Sequence, residues 1–280
     1  MRILVLHNRY RQPGGEDAAV ELETRLLREH GHEVILFEAG NAPVEGAAGL
    51  VRLTRNCAWS DSSYKQVLRL CREHRPDVAH VHNFWMTLSP SVHAACHEAG
   101  VPTVQTLHNY RLLCPNALLM RDGRVCEECV GGAPWRGVLH RCYRNSILAS
   151  AAVAWMISAN RQRDTWNRHV DAFLVPSEFA RTRFVEGGFD ANRILVKPNL
   201  IADPGRPCTR PSASNMVLYA GRLSAEKGLG TLLAAWASAR LDDIGQLLIA
   251  GDGPQESELR GQAQALGLTG VRFTGRMDRA

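Results

Sequence analysis

Short apolar runs alternate along this chain with longer segments whose apolar positions recur at helical spacing. "RILVLH" at the start reads as a buried strand, and "GGEDAAVELETRLLREHG" as an amphipathic helix closed by Gly31. "HEVILFE" is the next strand, and "YKQVLRLCREHRP" a helix stopped by Pro76. "DVAHVHN", "SPSVHAACHEAG" and "VPTVQTLH" continue as strand, helix and strand. Such alternation predicts an α/β fold, a parallel sheet with helices on both faces.

The rhythm breaks after His108. Residues 109–145 are rich in Gly, Arg and Cys and show no clear period. It resumes with a helix near 146–168, the strand "DAFLVPS", the helix "EFARTRFVEGG" and the strand "RILVKPN". The Pro-rich stretch 202–214 reads as a linker. A second alternation follows: "MVLYAG", "KGLGTLLAAWASAR", "GQLLIAGDG", "PQESELRGQAQALG" and "GVRFTGR". The expected organisation is a Rossmann-like domain over 1–201 carrying the insert 109–145, then the linker, then a partial Rossmann-like domain over 215–280. Only about 65 residues follow the linker, against the ~100–150 typical of a domain. Three strands and two helices make half of a doubly wound domain, so the expectation is a fragment whose second sheet keeps an unpaired edge.

Composition narrows the class. With 45% hydrophobic and 22% charged residues the chain is an ordinary globular sequence. Met1 and Arg2 lead into a short apolar run and then polar residues, so no signal peptide is read, and the predicted location is cytoplasmic. The longest apolar stretch, 147–157, falls far short of the ~20 residues of a membrane span and reads as a core helix. The net charge of +5 is concentrated, since residues 111–168 hold nine Arg and four acids. A solvated face explains any single arginine; the functional alternative is a patch facing phosphate or an anionic membrane surface. No nucleic-acid-binding motif accompanies it.

"VLYAGRLSAEKG" concentrates chemistry at the end of a predicted strand. Ligands of parallel α/β sheets bind beyond the carboxyl ends of strands, where loops and helix N-termini meet. Arg222 and Lys227 lie in such a loop, with Gly228 opening the next helix. Backbone N–H groups, the helix dipole and two cations together favour an anion, and a diphosphate is the natural guest.

These residues carry a family resemblance. "YAGRLSAEKG", "LLIAGDGP", an "LGL" segment and "VRFTGR" resemble the nucleotide-sugar domain of glycosyltransferase family 4, of GT-B architecture. The N-terminal half resembles it in its Gly-Gly loop, "GHEV", "DVAHVHN" and a strand ending T-x-H. The resemblance implies two Rossmann-like domains and retaining transfer of a sugar from a nucleoside-diphosphate donor. Arg222 and Lys227 then correspond to cations that stabilise the leaving diphosphate. Gly14 and Gly15 correspond to a loop whose backbone approaches donor and acceptor, although Glu16 and Asp17 already satisfy the helix dipole there. His108 corresponds to a strand-end histidine that hydrogen-bonds the donor sugar. Gly251 and Gly253 correspond to a close-packed loop near the donor. His7, His80, His82 and His140 read as structural.

The family's acidic motif, two glutamates eight apart in a Gly-rich context, is expected beyond residue 280. Glu21/Glu29 and Glu178/Glu186 have that spacing but lie on helices of the first half, as exposed acids. The chain alone is therefore expected to bind a donor weakly and to turn over little. Retention by the departing phosphate needs no hydrolase-like carboxylate pair, and with no Asp-x-Asp motif present the chemistry is expected to need no cofactor. Two other classes remain: a non-catalytic nucleotide- or zinc-binding relative, and a dinucleotide oxidoreductase. The latter lacks G-x-G-x-x-G after its first strand.

Eight cysteines without an export signal argue against a disulfide framework. Cys57, Cys71, Cys96 and Cys208 are scattered, whereas Cys114, Cys126, Cys129 and Cys142 follow C-x11-C-x2-C-x12-C. That spacing is consistent with a structural Zn²⁺; free thiols and a redox pair are the alternatives. Arg111, Arg121, Arg124, Arg136, Arg141 and Arg144 would offset the charge of four thiolates. Such a centre would pin the insert beside His108. The acceptor is not legible, although a glycan or lipid-linked acceptor at a membrane surface agrees with the basic segment.

Overall fold

The computed structural model describes residues 1–10, 14–40, 54–201, 203, 205 and 215–277. It divides into two compact units, 1–202 and 203–280. The predicted linker, with Cys208, lies outside the described residues except for Asp203 and Gly205.

The first unit is built on six parallel strands: β1 (Arg2–Arg9), β2 (Glu33–Gly40), β3 (Val78–Asn83), β4 (Thr103–Thr106), β7 (Ala172–Val175) and β8 (Ile194–Val196). Their spatial order is β2-β1-β3-β4-β7-β8, the doubly wound arrangement with its switch point between β1 and β3. Alternation along β1 shows why the sheet is covered twice. Leu4 and Leu6 join the large core with Val67, Val81, Val92 and Phe173. Ile3 and Val5 face the other way, onto Val20 and Leu27 of the helix Gly15–Glu29. A strand buried on both faces needs the continuous apolar run that "ILVL" supplies.

Local signals set the helix boundaries. Ser60, Ser146 and Ser177 each accept a hydrogen bond from the backbone N–H three residues on, fixing the starts of the helices Asp61–His74, Ile147–Gln162 and Glu178–Glu186. The helix expected near 146–168 is two, Ile147–Gln162 and Thr165–His169, broken at Asp164 with φ 54°. Met156 and Ile157 are fully buried, as a core helix requires, while Ile147, Leu148 and Trp155 are exposed. The insert holds only β5 (Met120–Arg121), β6 (Arg124–Val125) and the turn of helix Arg136–Leu139. Among the described residues no helix is long and apolar enough to cross a membrane.

The second unit has three parallel strands, β9 (Met216–Ala220), β10 (Gln246–Ala250) and β11 (Val271–Gly275), in the order β11-β10-β9. Leu247 and Ile249 of β10 pack with Leu229, Leu233 and Trp236 of one helix and Leu259 and Ala263 of another. Met216, Val217 and Leu218 of β9 stay exposed.

Candidate functional site

In the first unit the chemistry collects at the carboxyl ends of β1, β3 and β4. Parallel register puts His7 of β1 opposite Asn83 of β3, and Val81 opposite Gln105 of β4. His80 and His82, two apart on β3, share one face, with ring centroids 4.0 Å apart and planes tilted by 33°. His108, just past β4, stacks on His82 at 5.3 Å, and His82 Nδ1 lies 3.1 Å from His108 Nε2. The predicted site histidine thus sits in a cluster with three histidines that sequence reasoning set aside as structural, of which His7 bonds Asp17 at 3.0 Å.

Burial sets the protonation of three of these rings, His80, His82 and His108. It holds His108 and His80 down at about 4. For His80 the neighbouring Glu23 works against that fall, and Lys197 reinforces it. His82 is driven well down by burial and by the charges of His80 and His108. At neutral pH these rings are uncharged. His108 is therefore a neutral ring at that pH, with Nδ1 the nitrogen not turned to His82.

A pocket of about 30 Å³ opens beside this cluster, lined among others by Tyr10, Glu16, His82, His108, Asn109 and Arg111. Glu16 and Asp17 do different jobs. Asp17, buried, accepts from the Gly14 N–H at 2.7 Å and closes the helix N-terminus. Glu16 turns into the pocket wall and accepts from Asn109 Nδ2 at 2.6 Å. Burial raises its carboxyl above the usual range, against the hydrogen bonds from Asn109 and Tyr10. Arg111 does not belong to a surface patch. Its guanidinium lies 5.5 Å from the Trp85 ring and 4.7 Å from that of Tyr143, and burial lowers its pKa. Tyr10, Glu16, Asn109 and Arg111 were not read from the sequence as one site, because their meeting depends on the β1–β4 register.

Gly14 and Gly15 start the first helix, with Gly14 at the N-cap in extended geometry. A Cβ added to Gly15 meets nothing within 4 Å, and one on Gly14 reaches only Asp17 Oδ2 at 4.0 Å. Packing within the described residues therefore does not demand glycine at either position.

Gly251 and Gly253 differ. A Cβ on Gly251, whose φ is +142°, falls 1.9 Å from the Gly221 carbonyl oxygen, and one on Gly253 falls 2.3 Å from that of Leu223. The glycines let two loops zip together: Gly221 N–H donates to Ala250 O at 2.9 Å, Leu223 N–H to Asp252 O at 2.8 Å, and Gln255 N–H to Leu223 O at 3.0 Å. Their immediate partner is the loop that carries Arg222.

That loop is held firmly around its exposed cations. Leu223 is fully buried, and the Arg222 carbonyl accepts from the Tyr219 hydroxyl at 3.0 Å and the Ser224 N–H at 3.1 Å. Lys227 ends a 3₁₀ turn, and Gly228 at φ 69° starts the helix Leu229–Ser238, which has no side-chain cap. Glu226 reports on both cations. Burial works to raise its pKa, but the Ser224 hydroxyl, a backbone N–H and the charges of Lys227 and Arg222 hold it below the usual range. Both cations therefore stand close enough to one carboxylate to act on it. Glu21, Glu29, Glu178 and Glu186 are exposed and stand within 4 Å of arginines.

All described cysteines are free thiols. Among the described residues, the one group of three whose ligand atoms all lie within 4.8 Å is Glu23, His80 and His82. The four insert cysteines do not meet that distance.

A doubly wound first unit and a parallel second unit, with polar residues at the strands' carboxyl ends, are the parts of the GT-B architecture. The family model for Glycosyltransferase Family 4 matches residues 13–203, and that for Glycosyl transferases group 1 matches residues 207–280. The chain belongs to glycosyltransferase family 4. Glycogen synthase of Mycobacterium tuberculosis is 29% identical over 213 residues, covering 74% of this chain and 43% of that protein. 2-Deoxystreptamine N-acetyl-D-glucosaminyltransferase of Streptomyces fradiae is 29% identical over 237 residues, covering 81% and 50%. The chain thus spans about half the length of these relatives. Two solved structures share the fold. Anabaena HepE in complex with UDP has a TM-score of 0.54 at 18% identity. WaaG, a glycosyltransferase involved in lipopolysaccharide biosynthesis, has 0.56 at 15%. Each comparison covers 99% of this chain and 70% of the other.

Proposed function

We propose that the protein transfers a sugar from a nucleoside-diphosphate donor to a glycan or lipid-linked acceptor, with retention at the anomeric carbon. The observation that carries this reading is the loop 221–228. Its backbone is fixed by Gly251 and Gly253, it carries the exposed Arg222 and Lys227, and it leads into an uncapped helix N-terminus. As the glycosidic bond breaks, negative charge grows on the departing diphosphate, and two preplaced cations stabilise it more than they stabilise the bound donor. Each contributes about 4 kcal/mol gross at about 4 Å and an effective dielectric near 20, before desolvation. Glu226 competes for the same cations, so the net gain is smaller.

In the first unit, His108 supplies a neutral hydrogen bond to the donor sugar. The Gly14–Gly15 turn leaves room for a ligand beside the helix N-terminus. Glu16 and Arg111 line the same pocket and orient the acceptor. No residue here is asked to act as a nucleophile, and the chain's own cations supply the charge stabilisation without a cofactor. The uridine nucleotide in HepE makes UDP the first candidate. The relative named glycogen synthase supports a carbohydrate acceptor in polysaccharide synthesis. On this reading the protein is cytoplasmic and works at the inner face of a membrane. A calorimetric screen of UDP, GDP and ADP tests the reading. One nucleotide is expected to bind and to be competed by its sugar derivative; heat changes no larger than buffer for all three would refute it.

A further inference from the structure

The insert is held in place by very little of its own. Apart from Pro134, Cys129 is the only buried side chain among residues 120–145. Val125, Trp135 and Leu139 stand exposed. Six of the ten non-glycine residues at positive φ among the described residues fall in or beside this stretch: Ala117, Leu119, Asp122, Arg141, Arg144 and Asn145. Such backbone costs free energy and persists only where its surroundings enforce it. Two strands of two residues and one four-residue helix do not provide that enforcement.

Several of the insert's contacts meet at Gly137. A Cβ there would lie 2.6 Å from Pro115 Cγ, so this backbone packs directly onto the residue after Cys114. The Gly137 carbonyl accepts from the Cys142 N–H at 2.9 Å, and the Gly137 backbone hydrogen-bonds the Cys129 sulfur. Cys126, three residues before Cys129, is tied through its N–H to Leu119 O at 2.8 Å. Cys114, Cys129 and Cys142 thereby border Gly137, and the C-x2-C spacing keeps Cys126 beside Cys129.

We propose that Cys114, Cys126, Cys129 and Cys142 bind one zinc ion that locks the insert in place. A thiolate set is the donor chemistry zinc takes in closed structural sites. The sulfurs have to draw closer, to about 3.8 Å apart around a tetrahedral ion with Zn–S near 2.3 Å. Cys126 and Cys142 are only half-buried, so their side chains have room to swing inward.

The surroundings fit a centre with net negative charge. Arg161, on the helix Ile147–Gln162, donates Nη1 to Gly132 O at 2.7 Å, while its buried Nη2 has no hydrogen-bond partner. Gly132 in turn packs on the Cys129 backbone, where an added Cβ would lie 3.9 Å from the Cys129 Cα. A buried donor left over at that turn can serve a thiolate ligand. The group Glu23, His80 and His82 is the competing site. There Lys197 Nζ already lies 2.9 Å from Glu23 Oε2, and His80 Nε2 is 2.7 Å from Thr106 Oγ1.

The test is metal analysis of the 280-residue chain purified with reductant and without chelator. About one zinc per chain is expected, and after exchange with Co²⁺ an intense near-ultraviolet thiolate-to-cobalt band. Cys126→Ser/Cys129→Ser is expected to lower bound metal at least about tenfold, whereas Cys71→Ser and Glu23→Gln leave it unchanged. If the cysteine variant does not fold, the cobalt spectrum of the unsubstituted protein decides. A metal-free protein overturns the proposal. So does bound cobalt without a thiolate band, loss of metal in Glu23→Gln alone, or a Cys126–Cys129 disulfide under reductant. These readouts do not depend on nucleotide binding, so the zinc and transferase proposals can fail separately.

Discussion

The histidine cluster makes the first unit sensitive to acid in a calculable way. His80 and His108 carry an ordinary pKa of 6.5 when the chain is unfolded and about 4 when it is folded. A folded value depressed below the unfolded one means that the native state favours the neutral ring. Its contribution is fully present above 6.5 and is lost as pH falls from there through 4. Between about pH 7 and about pH 5 each ring removes roughly 2 kcal/mol, because the unfolded chain takes up a proton that the folded one refuses. Two rings together remove roughly 4 kcal/mol, a large share of the ~5–15 kcal/mol that holds a typical domain together. His82, shifted the same way by burial, adds to the loss. Five of the six tryptophans lie in the first unit, so urea unfolding followed by tryptophan fluorescence reads mainly that unit. The midpoint should fall steeply over this range, and His108→Gln should remove about 2 kcal/mol of the loss. Stability that is flat between the two pH values, or His108 titrating near 6.5 by proton NMR, would refute the reasoning.

Other consequences are local. Gly253→Ala places a methyl 2.3 Å from the Leu223 carbonyl oxygen and should destabilise the second unit by about 3 kcal/mol, seen as an earlier unfolding step by circular dichroism. Gly261→Ala, in an exposed helical position where a Cβ meets nothing, should instead stabilise that unit by about 1 kcal/mol in the same assay. Ser177→Ala removes the hydroxyl that accepts from the Ala180 N–H at 3.2 Å and should cost about 1 kcal/mol in urea.

The sequence made some of this legible because the relevant physics is local. Two-sided burial of β1 shows in an unbroken apolar run, and Arg222 and Lys227 stand out because strand, loop and helix follow one another within a dozen residues. The acids Glu21, Glu29, Glu178 and Glu186, read as exposed, are exposed. What was missed is non-local. The i, i+2 spacing of His80 and His82 shows a shared face, but only the β3–β4 pairing brings His108 onto it. Glu16 looked like a helix-dipole residue until Asn109, ninety-three positions away, was found to hold it in the pocket wall. Gly251 and Gly253 carried no sign of their partner, since the carbonyls they accommodate belong to residues 221 and 223. Arg111 counted among many arginines, and only the rings of Trp85 and Tyr143 set it apart.

The central claim is that the second unit offers two cations to a diphosphate. Its most direct test is the UDP dissociation constant measured by NMR titration for the unsubstituted chain, Arg222→Ala and Lys227→Ala, with Arg240→Ala as an exposed cation elsewhere in the unit. Each of the first two substitutions should weaken binding by roughly one to two decades and Arg240→Ala by less than about twofold. Equal affinity for all four proteins would contradict the account.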